Sequence, residues 1–208
     1  RARHNDLMAS SRGPWVRALL AAAWAGALAC GTVSLWRYAG FAGEPGDAPR
    51  RWPAQAGGRR AGAATLVMLV HPKCPCSRAS IDELRVLLAR AGGRVEARVF
   101  FYHPPGEGTQ WARTGLWRTA AGIPGVAVEA DPDGATARRF GARTSGQVVL
   151  YDSTGALVFA GGITGARGHA GDNPGLRAAV DALLASGPAA SAAPVFGCPL
   201  RGRKEKRS

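Results

Sequence analysis

The run His71-Pro72-Lys73-Cys74-Pro75-Cys76-Ser77 sets two thiols between an apolar stretch at residues 65–70 and a helix-like stretch at residues 80–90. A cysteine at a helix start meets unpaired N–H groups and the positive end of the helix dipole, and both favour thiolate over thiol. The thiolate is the nucleophile of disulfide exchange and the ligand of soft metals, so the run points to one of those two chemistries. Pro75 fixes its own φ near the helical value and pushes Cys74 toward extended geometry. This predicts Cys74 at the N-cap, Pro75 in the first turn and Cys76 one position further in. Cys74 is then the expected nucleophile, with Lys73 adding a nearby positive charge.

Cys76 and Cys198 are the candidate second thiols. A Cys-Pro-Cys disulfide closes a small ring through a rigid proline, and strained disulfides are the readily reduced, oxidising ones. If both cysteines are fully helical, positions two apart face nearly opposite sides and that ring does not close. Cys198, in the tail, then becomes the resolving partner; its plainer role is a small residue packed near Phe196. Metal chemistry would take the same thiols. Cys74 and Cys76 with His71 or His169 suit copper(I), and His103 is a further available imidazole. His169 lies in the glycine-rich loop 162–173 with Arg167 and Asp172. Ser80 to Glu83 has capping-box form, which offers an alternative helix start that leaves residues 71–79 as a metal-wrapping loop. A third possibility is a tethered scaffold whose thiols are inert.

The elements that must position these thiols follow from hydrophobic pattern. Residues 65–70 read as a strand buried on both faces, and Ile81, Leu84, Leu87 and Leu88 mark one face of the next helix. Residues 95–102 form a second strand and residues 110–121 a helix. Residues 126–128 read as a short strand, with a turn at 131–134 and a short helix ending near Phe140. Residues 147–151 and 157–160 make a hairpin across Asp152-Ser153-Thr154-Gly155. Residues 174–185 close the domain as a helix, with Asp172 as cap.

The ends are of another kind. Residues 18–36 carry no charge over 19 positions, between Arg17 and Arg37. That length spans a bilayer, and arginines at 1, 3, 12 and 17 argue for a cytoplasmic N-terminus. Ala27-Leu28-Ala29 has the form of a signal-peptidase site and Cys30 makes a poor lipoprotein-like junction. The apolar run continues through Val33, Leu35 and Trp36, which favours a retained anchor in which Cys30 is a small apolar residue. The expected plan is a basic segment at 1–17, a transmembrane helix at 18–36, a flexible linker at 37–62, a core domain at 63–186 and a flexible tail at 187–208. Four cysteines in 208 residues are too few for a disulfide framework. The net charge of +13 divides as +4, +5 and +4 over residues 1–37, 38–200 and 201–208. So dispersed a charge, without a recognition motif, argues against a nucleic-acid partner.

Taken together, the element order, the cysteine site after the first core strand, and Phe140-Gly141 ahead of a hairpin containing Gly155 resemble thioredoxin-like proteins. The likeness is strongest to the membrane-anchored branch with an extra strand and helix before the third strand, and it covers residues 63–184. The His-Pro-x-Cys-Pro-Cys run and the terminal Phe-Gly-Cys-Pro are similar to the bacterial inner-membrane RedB group. Two departures stand out. One residue separates the cysteines where the family has two, and Gly146 occupies the place of the family's cis-proline. Aligning Pro75-Cys76 on the family's own Pro-Cys would put Lys73 at the nucleophile position, so the two thiols keep open roles at this point. The resemblance implies an α/β fold, a mixed sheet with helices on both faces preceded by one transmembrane helix. It also implies thiol-disulfide oxidoreductase activity in the periplasm on thiols or disulfides of exported proteins.

Overall fold

The computed structural model describes residues 13–60, 62–171, 173–184 and 191–201. Residues 1–12 of the basic segment, Ala61, Asp172, residues 185–190 at the end of the expected last helix and in the tail linker, and the basic end at 202–208 lie outside the described residues. The chain forms two units, one up to Tyr38 and one from Ala39 onward.

The first unit is helix α1, Gly13–Gly40, with every described side chain outside any core. Its best window has a mean hydropathy of 1.7, long and apolar enough to cross a membrane. Helical geometry continues past Arg17 and Arg37, so α1 is longer than its uncharged stretch. Thr32 and Ser34 donate their hydroxyls to the Leu28 and Cys30 carbonyls at 2.8 Å, leaving no side-chain donor of that pair to be solvated.

The second unit is built on strands β1 (Ala64–Val70), β2 (Val95–His103), β3 (Val126–Pro132), β4 (Gln147–Tyr151), β5 (Leu157–Gly162) and β6 (Ser191–Ala192). They form one sheet in the order β3-β2-β1-β4-β5-β6. β1 lies parallel to β2 and antiparallel to β4, so the central strand is paired on both edges. Helices α2 (Ser77–Ala91), α3 (Gly115–Ala121), α4 (Ala135–Arg139) and α5 (Pro174–Leu184) complete the unit. This is the thioredoxin-like mixed sheet expected from the sequence, with helices on both of its faces.

Alternation along β1 explains how the layers assemble. Leu66, Met68 and Val70 face one core with Ile81, Leu84 and Leu87 of α2 and Leu176 and Ala179 of α5. Val67 and Leu69 face the other with Phe100, Phe140, Val149 and Tyr151. Among the described residues, the one α-helix on the second face is the five-residue α4. Within residues 37–62, expected as a flexible linker, Ala48, Trp52 and Ala56 supply the missing cover. Trp52 packs edge-on against Phe140 and Tyr151 at 5.1 and 5.4 Å between centroids. Backbone bonds from Asp47 to Gly141, from Trp52 to Gly155 and from Leu157 to Arg50, each 2.9 Å, lay this stretch along the domain. A composition rich in Gly, Pro and Arg concealed one tryptophan with a deep enough place to order it.

Two element boundaries also moved. β3 runs to Pro132 because its parallel pairing follows β2 through His103. The helix expected from residue 110 begins at Gly115, since Thr114 is extended and its hydroxyl is tied to the Pro72 carbonyl at 3.2 Å.

Candidate functional site

α2 starts at Ser77 with Cys76 just before it in helical geometry (φ −66, ψ −27). The expected placement of Cys74 at the N-cap is therefore corrected: Cys74 sits one turn ahead of the helix. Amides of Cys74, Ser77 and Arg78 bond to the carbonyls of His71, Cys74 and Pro75 at 3.0, 3.2 and 3.4 Å, winding residues 71–78 into successive tight turns. The helix does not wait for the Ser80–Glu83 capping box. Glu83 is buried and accepts the Gly171 amide instead, so no long metal-wrapping loop remains.

The tail holds Cys198 in place. Ser145 donates its amide to the Cys198 carbonyl at 2.8 Å, and Leu200 donates to the Arg143 carbonyl at 2.9 Å. Thr144 and Pro199 form an antiparallel bridge, and Leu200 is buried in the second core. The expected flexible tail is thus a docked strand over residues 195–200. Its effect is to bring three sulfurs, those of Cys74, Cys76 and Cys198, within 4.8 Å of one another. All are free thiols, and Cys74 is only 1% exposed.

Their environments differ. Burial pushes the Cys74 thiol up, but hydrogen bonds from the Ser77 hydroxyl, the Cys198 amide and the Cys198 thiol outweigh it, and the net direction is down. Cys76 is pushed up by burial and then by the charge of Cys74, with Arg167 pulling against both. Cys198 is pushed up to about 12, by burial first and then by its bond to Cys74. A thiol pushed toward ionisation beside two pushed away from it is an arrangement that fits thiol-disulfide exchange. The Lys73 ammonium lies over the Trp111 ring, 4.2 Å from the centroid.

The histidines stand apart from the sulfur cluster. His71 accepts the Lys73 amide on Nδ1 at 3.2 Å, and its ring lies against Tyr102 and Trp111 at 5.7 and 5.6 Å. His169 is exposed, and His103 is buried with Nδ1 3.3 Å from the Pro104 carbonyl. Neither His71 nor His169 joins the cluster that could hold a metal among the described residues, which is made of the three cysteines. Sequence reasoning missed Ser77 and Ser145. Their hydroxyls bond to each other at 2.7 Å, and Ser145 also accepts the His71 amide at 2.7 Å. The one available signal was their position, directly after Cys76 and directly before Gly146.

Gly146 takes φ +88, and a Cβ there would lie 2.6 Å from the Ser80 hydroxyl. Its amide bonds to the Leu69 carbonyl at 2.8 Å. A proline has neither that φ nor that N–H, so this loop is built by a different local rule from the family's.

No protein-family model matches the chain, and a search of curated proteins finds no match. Among solved structures, the chain is similar to a hypothetical protein of Sinorhizobium meliloti 1021 (23% identity, 77% of this chain and 95% of that one, TM-score 0.54). It is also similar to an uncharacterized conserved protein of Geobacillus kaustophilus (18% identity, 79% and 93%, TM-score 0.53). A more distant likeness is to a secreted Mycobacterium tuberculosis disulfide oxidoreductase homologous to E. coli DsbE (13% identity, 60% and 82%, TM-score 0.43). The second unit is a thioredoxin-like domain by fold, and its clustered cysteines fit thiol-disulfide exchange.

Proposed function

We propose that the chain is a membrane-anchored thiol-disulfide exchange protein of the RedB type, its domain held in the periplasm by α1. The observation that carries the reading is the trio of sulfurs within 4.8 Å in which Cys74 alone is pushed toward the thiolate. The Cys74 thiolate attacks one sulfur of a partner's disulfide; that bond breaks, a mixed disulfide forms, and the other partner sulfur leaves as a thiolate and takes a proton. A second thiol of the trio then loses its proton and attacks Cys74 Sγ. The partner departs fully reduced and the trio holds one disulfide, two electrons having passed from the domain to the partner. Run backward, the same steps oxidise a partner dithiol. Protein thiols or disulfides of exported proteins are the matching substrate class.

The test is Cys74→Ser against wild type. Wild type should shift its free-thiol count and intact mass between oxidising and reducing buffers and exchange with a disulfide-bonded reporter protein. The variant should lose the exchange while keeping a cooperative unfolding transition and the wild-type far-ultraviolet spectrum. A thiol count in wild type that ignores the redox buffer would overturn the reading. A reporter fused after residue 208 should be active on the periplasmic side, and activity confined to the cytoplasm would overturn the topology.

The three-sulfur cluster also favours a second reading, uptake of copper(I) as cargo. Soft thiolates suit that ion, and the ligand set would now be Cys74, Cys76 and Cys198 in place of any histidine. Copper(I) bound by the reduced protein and lost in Cys198→Ser, alongside a redox-silent thiol count, would favour this reading over the first.

A further inference from the structure

Residues 195–200 occupy the strand edge next to the nucleophile in an unusual way. The pairing to residues 143–145 is made by main-chain groups, as in any strand that adds to an exposed edge. Gly197 lies so close to that edge that a Cβ on it would sit 2.0 Å from the Ser145 carbonyl oxygen. Its own carbonyl accepts from the Arg167 guanidinium at 2.6 Å. Next in the chain is Cys198, whose amide and thiol both face the Cys74 sulfur. With this strand seated, Cys74 is 1% exposed and Cys76 is 7% exposed, too enclosed for a protein disulfide to reach. The root of the strand is anchored independently by β6 pairing to β5, so its far part can leave without releasing the rest.

We propose that residues 195–200 are a resident stand-in for the partner. They are a displaceable strap whose place at residues 143–145 is taken during exchange by an extended partner segment with a Gly-Cys pair. This rests on the exchange reading above and gives it a cycle. The partner segment displaces the strap and puts its disulfide beside Cys74; the Cys74 thiolate attacks the segment's cysteine sulfur, the partner's S–S bond breaks, its other sulfur leaves as a thiolate, and the mixed disulfide forms. The strap then returns to the same edge, and its return carries the Cys198 sulfur onto Cys74. Cys198 loses its proton, the Cys74–Cys198 bond forms, the bond to the partner breaks, and the partner sulfur leaves as a thiolate. Competition for one edge thereby couples chemical resolution to physical release. Cys76 is left as a neighbour of Cys74 rather than its resolver.

The test uses the full chain, wild type and Gly197→Val, with an extended Gly-Cys peptide activated as its thionitrobenzoate mixed disulfide. Valine cannot seat against Ser145, so attack on the probe should speed up about tenfold, reflecting loss of the local closing equilibrium. Wild type should go on to release the peptide with Cys74 and Cys198 joined. Gly197→Val should retain the peptide on Cys74 although Cys198 is present. Equal attack rates, or equal clearance of the peptide by the variant through Cys76, would overturn the proposal. Hydrogen exchange at the Ser145 and Leu200 amides reports the strap without any redox step. Protection in wild type lost in the variant is expected, and its absence in wild type would overturn the strap. Should Gly197→Val misfold, Leu200→Asp frees the same strand and takes its place. A wild type that never attacks the probe while its amides show the strap would sink the exchange reading alone.

Discussion

Two irregular segments cover the thioredoxin-like sheet, and they are held by different means. Residues 43–60 are stapled by an aromatic: Trp52 against Phe140 and Tyr151, with the Tyr151 hydroxyl donating to the Pro49 carbonyl at 3.0 Å. Residues 195–200 are held by three main-chain bonds, to Gly43, Arg143 and Ser145, and by the smaller side chains Val195, Phe196 and Leu200, beside three thiols. A large apolar contact is lost only when the core is lost, whereas a short strand pairing opens locally at modest cost. The first segment therefore belongs to the stability of the domain and the second to access.

The difference should vanish when the domain is oxidised. A Cys74–Cys198 disulfide would close a loop of more than 120 residues and stabilise the fold by up to about 5 kcal/mol on the chain-entropy scale. A Cys74–Cys76 ring would add only about 1.6 kcal/mol. Urea unfolding of oxidised and reduced protein measures the gap, and the smaller value would assign resolution to Cys76. Next in size is Trp52→Ala. A part-buried tryptophan should cost about 2–3 kcal/mol, below the range for a fully buried one. Alkylation of Cys74 in the folded variant should stay at the wild-type rate; a faster rate would mean that the two segments are coupled. The smallest effect is in pH. Cys198 is raised in the folded state, so its contribution is complete below the ordinary thiol value, near 8.5, and is lost as pH rises through about 12. Between about pH 9 and 10 the strap should begin to loosen, seen as alkylation of Cys74 beyond what its thiolate fraction explains. Cys198→Ser should remove that excess.

The strands and long helices were legible because their apolar periods were regular: β1, the Ile81-Leu84-Leu87 face and the hairpin all formed where expected. The thiol run was visible as a pair of cysteines ahead of a helix, but Pro75 did not fix its geometry, since Cys74 lies one turn before the helix rather than at its N-cap. Less visible were features whose cause lies far away in sequence. Trp52 is ordered by Phe140 and Tyr151, and Cys198 by residues 143–145. The Ser77–Ser145 bond spans 68 positions. Composition describes a segment's own preferences and is silent about a distant surface that lacks a helix to cover it. His71 illustrates the converse: its residue type suggested a ligand, while Tyr102, Trp111 and the Lys73 amide had already engaged it.

The strap lies 124 positions after Cys74 in the chain (198 − 74). Synthesis runs from the N-terminus, and β1, α2 and the hairpin all precede it. A newly made domain therefore passes through a stage in which its nucleophile is formed but uncovered. Folding delivers the reactive state first and the guarded state last, so the interval before residues 195–200 arrive is when unintended thiol partners compete for Cys74.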